Sequence, residues 1–115
     1  MIRKPNECIC ETRESMRGGD GTVEICHLVN ADELYDKGRL FATITLKQGC
    51  SIGYHVHELD SEIFHILEGS AQYSDNGNIM TVSKGDVLIC KKGEGHSIKN
   101  IGKSPVVLTA LIVYA

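Results

Sequence analysis

From residue 22 onward the chain is cut by glycines and polar steps into short segments that alternate apolar and polar residues. The clearest is 39–47 (RLFATITLK), where Leu40, Ala42, Ile44 and Leu46 fall on one face of an extended strand because side chains change sides at every residue. Residues 22–29, 53–57, 61–67, 71–74, 79–82, 87–90, 95–100 and 106–114 read as further strands. The Asn76-Gly77 step between two of them is a strong hairpin signal. Residues 31–35 allow one helical turn, with Asn30 as its cap. Many short strands joined by glycine-rich turns predict an all-β sandwich or small barrel. The first 21 residues are polar, end in Arg17-Gly18-Gly19-Asp20-Gly21, and read as an arm and a turn.

The chemistry concentrates in two segments of this β pattern. His55 and His57 are two apart on a strand and so share a face. The chain turns over 58–61, and Glu62 on the returning strand can face both imidazoles. His96 comes from a distant strand, so only the closed fold brings it to them. Three imidazoles and a carboxylate form an N/O donor set suited to Fe, Mn, Ni or Co, and Zn would accept the same donors.

The spacing closely resembles the two motifs of the cupin superfamily. Residues 49–69 follow G-x5-H-x-H-x4-E-x6-G through Gly49, His55, His57, Glu62 and Gly69. Residues 85–100 follow G-x5-P-x-G-x2-H-x3-N through Gly85, Gly93, His96 and Asn100, with Lys91 where the family has proline. The departure costs no donor. The resemblance implies a double-stranded β-helix, or jelly-roll barrel, spanning 1–115 as one domain. It further implies a divalent metal held by His55, His57, Glu62 and His96, and a homodimer to which the arm contributes.

Extending the register from the donors predicts that Phe64 and Ile66 follow Glu62 inward, and that Ile98 and Asn100 follow His96. These four are the expected pocket residues. No arginine falls on those positions, although Arg39 or a loop could supply a charge, so the expected ligand is small and weakly charged. His27 and His65 read as structural or surface histidines, and Tyr54 points outward. The leading functional expectation is a small metal-dependent enzyme, dioxygenase-like, with Glu62 able to serve as base. The alternatives are a non-catalytic metal or small-ligand binding module and a cupin-type isomerase, epimerase or decarboxylase.

Bulk properties narrow the partners. A net charge of −3 over 115 residues, with the 12 basic residues scattered, gives no footprint for nucleic acid. No apolar run is long enough to span a bilayer, and the first residues lack a secretory signal's apolar stretch, so no membrane partner and a cytoplasmic location are expected. Five cysteines without a C-x-x-C pair argue against a disulfide framework and for reduced thiols, Cys26 and Cys90 among the core residues.

Overall fold

A computed structural model describes all residues, 1–115, and shows ten antiparallel strands. In chain order they are β1 (Ile9–Glu14), β2 (Thr22–His27), β3 (Gly38–Leu46), β4 (Ser51–Val56), β5 (Asp60–Glu68), β6 (Ser70–Asp75), β7 (Asn78–Ser83), β8 (Val87–Cys90), β9 (Gly95–Lys99) and β10 (Val106–Tyr114). They form a six-stranded sheet, β1-β2-β3-β10-β5-β8, and a four-stranded sheet, β4-β9-β6-β7. This is the jelly-roll arrangement that the strand pattern and motifs predict. No helix is long and apolar enough to cross a membrane.

Register explains the core. One row across the large sheet pairs Ala42 with Ala110, Ala110 with Phe64 and Phe64 with Leu88, and all four are buried. Ile44, Leu46, Ile52, Ile66, Tyr73 and Ile98 complete the packing between the sheets. Each such burial contributes about 1.5–3 kcal/mol relative to exposure. Asn76 and Gly77 take positive φ in the β6–β7 hairpin, as that turn requires. Residues 31–34 form the expected helical turn, where the Asn30 amide donates to Glu33 Oε1.

Two expectations need correction. The N-terminal segment is not a free arm. Its residues 9–14 pair along their whole length with β2, and Arg3 donates to the Leu28 carbonyl of the same chain. The thiols are not all reduced either: Cys10 and Cys26 are directly opposite across β1 and β2 and form a disulfide. Spacing alone cannot reveal that pairing, because strand register creates it.

The glycine frame behaves as close-approach positions demand. Gly69, which closes β5, has φ +84°, and a Cβ there would meet the Pro105 carbonyl. On β4, a Cβ at Gly53 would meet the Arg17 carbonyl, so the 15–19 turn lies directly against this strand.

Candidate metal centre

His55 lies near the end of β4, His57 just beyond it, Glu62 on β5 and His96 on β9, so the set draws on both sheets. Their ligand atoms all lie within 4.8 Å of one another. His96 Nε2 is 3.1 Å from His57 Nε2 and 3.2 Å from His55 Nε2. Glu62 Oε1 lies 3.1 Å from His96 Nε2, 3.2 Å from His57 Nε2 and 3.9 Å from His55 Nε2.

The far side of each ring decides what this cluster can hold. His55 Nδ1 donates to the Gly53 carbonyl at 2.8 Å, and His57 Nδ1 donates to Asp60 Oδ1 at 2.6 Å. His96 Nδ1 pairs with the Tyr73 hydroxyl at 2.8 Å. A neutral imidazole whose Nδ1 carries the proton presents a lone pair at Nε2. The Nε2 atoms and the carboxylate then converge as acceptors with no donor among them, an arrangement that a shared cation satisfies. The outer partners are of the kind that orient metal-bound histidines and raise their basicity. The donor set and its supports therefore fit a divalent ion.

The electrostatics agree. Burial pushes Glu62 up, but the three imidazoles clustered at its Oε1 outweigh it and hold the carboxyl well below its ordinary range. Glu62 holds the His57 pKa above the usual imidazole value, against burial. Burial pushes His96 below that value, keeping it neutral and ready to ligate. Opposite Glu62 on β8, Cys90 is pushed up to about 11, chiefly by burial, and stays a protonated thiol.

A cavity of about 420 Å³ opens onto His55, His57 and Glu62. Its apolar wall includes Leu40, Ile44, Ile52 and Ile112, and its polar wall carries Arg13, Arg17 and Arg39. The charge that Arg39 or a loop could supply is thus present, and the cavity carries more of it than the four expected pocket positions indicated. Arg39 is the instructive case. Leu40 opposes Ile112 and Gly38 opposes Val113, so Arg39 is an extra residue in a β-bulge without a partner on β10. Bulges re-aim side chains, and alternation through Leu40 and Ala42 cannot anticipate this one.

Phe64, Ile66, Ile98 and Asn100 point inward as expected but do not line the cavity. Phe64 stacks on His96 with ring centroids 5.0 Å apart. Asn100 is a loop clasp: its Nδ2 donates to the carbonyls of Leu46 and Ser104, and its Oδ1 accepts from Gly102 N. His65 is exposed as expected, whereas His27 lines the cavity and contacts Glu11 at 2.8 Å. Asp60 and Tyr73 were not among the expected site residues. Asp60 precedes Glu62 by two positions, so the period of β5 already pointed it inward.

Comparison with known proteins gives the same answer as the donor geometry. The cupin domain model matches residues 42–114. The chain belongs to the cupin family. Among cupins, an oxalate-binding protein from Thermotoga maritima is 39% identical over 113 residues, covering 98% of this chain and 93% of that protein. A solved structure of a predicted oxalate decarboxylase from Thermotoga maritima superposes with a TM-score of 0.95 at 38% identity, covering 100% of both chains. The cupin domain of Schizosaccharomyces pombe Cnp3, at 22% identity and a TM-score of 0.71 over 81% of this chain and 61% of that one, shares the fold.

Proposed function

We propose that this cupin binds a small dicarboxylate, of which oxalate is the simplest, at a divalent metal held by His55, His57, Glu62 and His96. The observation that carries the reading is the polar wall of Arg13, Arg17 and Arg39 on the cavity that opens to those donors. Guanidinium groups match carboxylates in shape and charge. The name of the Thermotoga maritima relative points to the same ligand class. The weakly charged ligand expected from sequence loses its support with three arginines on the cavity.

Metal and ligand depend on each other. Among the charged cavity residues, three arginines face Glu14 and Glu62, a balance of only +1. A divalent ion makes the cavity distinctly positive and offers a Lewis-acidic contact for a carboxylate oxygen. The chain's own part is to seat the anion against the arginines and hold the donors in place. Glu62 Oε1 lies within 3.9 Å of all three imidazole Nε2 atoms, a placement that suits holding the ion.

Calorimetric titration of the Mn(II)-loaded protein tests this. Oxalate should bind at least about tenfold tighter than acetate, one charged hydrogen-bond pair's worth. Binding should vanish after chelation of the metal, and gel filtration after titration should show the metal still bound. Equal affinity for oxalate, acetate and a neutral diol would overturn the proposal.

The outer face of the large sheet supports pairing into a homodimer. Phe41, Leu111, Ile63 and Ile89 form an unbroken apolar row across β3, β10, β5 and β8. Ile89 is exposed, and the other three remain partly so. A dimer in sedimentation experiments that Ile63→Lys converts to monomer is the expected result. A wild-type monomer at micromolar concentration would refute it.

A further inference from the structure

We infer that Arg39 is the residue that reads the ligand's second carboxylate, and that Asp60 positions it while supporting the metal donor His57. The inference rests on the dicarboxylate reading above. Asp60 opens β5 and is buried. Its Oδ1 accepts from His57 Nδ1 at 2.6 Å and its Oδ2 accepts from Arg39 Nε at 2.8 Å. Both carboxylate oxygens are therefore committed, one to the metal set and one to the guanidinium.

The same contact leaves Arg39 poised for an anion. Only its Nε is used within the chain; neither Nη group has a protein partner. The Nη edge is the fork that grips a carboxylate in two parallel hydrogen bonds. Arg39 lines the metal-side cavity together with His55, His57 and Glu62. It also lines a second depression of about 240 Å³, so it stands between the two.

The other arginines are placed differently. Arg13 is occupied by Glu11, which also holds His27. Arg17 sits in the 15–19 turn with φ +55° and makes no hydrogen bond or ion pair to the donor set. Arg39 alone is tied to a metal donor through one shared residue. A β-bulge is needed to turn it there, and bulges concentrate beside functional sites.

A merely structural ion pair would leave ligand preference unchanged, so selectivity is the deciding readout. Oxalate and acetate are titrated calorimetrically into Mn(II)-loaded wild type, Arg39→Gln, Arg39→Lys and Asp60→Asn, with metal content read by mass spectrometry. Arg39→Gln should retain Mn(II) and bind oxalate about 10- to 100-fold more weakly, with a much smaller change for acetate. Arg39→Lys keeps a charge beside Asp60 but lacks the fork, and should fall between. Asp60→Asn should lose affinity for both oxalate and metal, the metal by about 10- to 100-fold.

Oxalate affinity and selectivity unchanged in Arg39→Gln, with wild type binding oxalate, would overturn this inference and leave the dicarboxylate reading intact. Should Arg39→Gln fail to fold, unchanged oxalate affinity in Arg39→Lys would overturn it equally. A wild-type protein that takes up Mn(II) but no oxalate would overturn both.

Discussion

Replacing His96 with alanine abolishes stoichiometric metal binding while the barrel keeps its β-sheet circular dichroism. His96 is 1% exposed and its Nε2 touches the ligand atoms of the other three donors. The variant leaves three of the four clustered donors, His55, His57 and Glu62. The loss should exceed the roughly 10- to 100-fold penalty typical of removing an outer partner of a metal-bound histidine. Tyr73→Phe supplies that smaller penalty as an internal scale, since it removes only the hydroxyl behind the ring. Metal analysis after extensive dialysis reads both. Full metal content in His96→Ala would refute the assigned donor set.

Replacing Phe64 with alanine costs about 3–5 kcal/mol of folding stability, as large-to-small changes of buried aromatics do. The ring is 1% exposed, stacks on His96 and meets Tyr73 edge-on with centroids 6.5 Å apart. A domain of this size commonly has about 5–15 kcal/mol in total, so the variant sits near the limit of folding. The vacated space also frees the His96 ring, so metal affinity should fall alongside stability. Urea denaturation of metal-loaded and chelated samples separates the two effects. A loss below about 1 kcal/mol in the chelated pair would contradict this packing, because such small values belong to surface sites.

The donors were legible because period-2 alternation and the glycine-framed spacing act locally, and both survive into the fold. The same holds for the β6–β7 hairpin and the 31–34 turn, whose determinants lie within a few residues. What escaped depends on register between distant strands. β1 is largely exposed along its length, so it carries no apolar alternation to announce it. Its partner choice also creates the Cys10–Cys26 disulfide. Arg39 was named as a possible charge, but its facing could not be fixed because a bulge breaks the alternation at that residue. Asp60 was accessible by counting back from Glu62, but it read as part of a turn. Tyr73 meets His96 only because β6 pairs with β9.

Arg13, Arg17 and Arg39 all precede residue 42, where the match to the common cupin domain begins, while all four donors fall inside it. On the dicarboxylate reading, the ion's donors and the cavity's arginines are therefore written in different stretches of this polypeptide. Changes at Arg13, Arg17 or Arg39 would then alter ligand choice without removing an ion donor. For an engineer the same division marks where to randomise and where to leave the sequence alone.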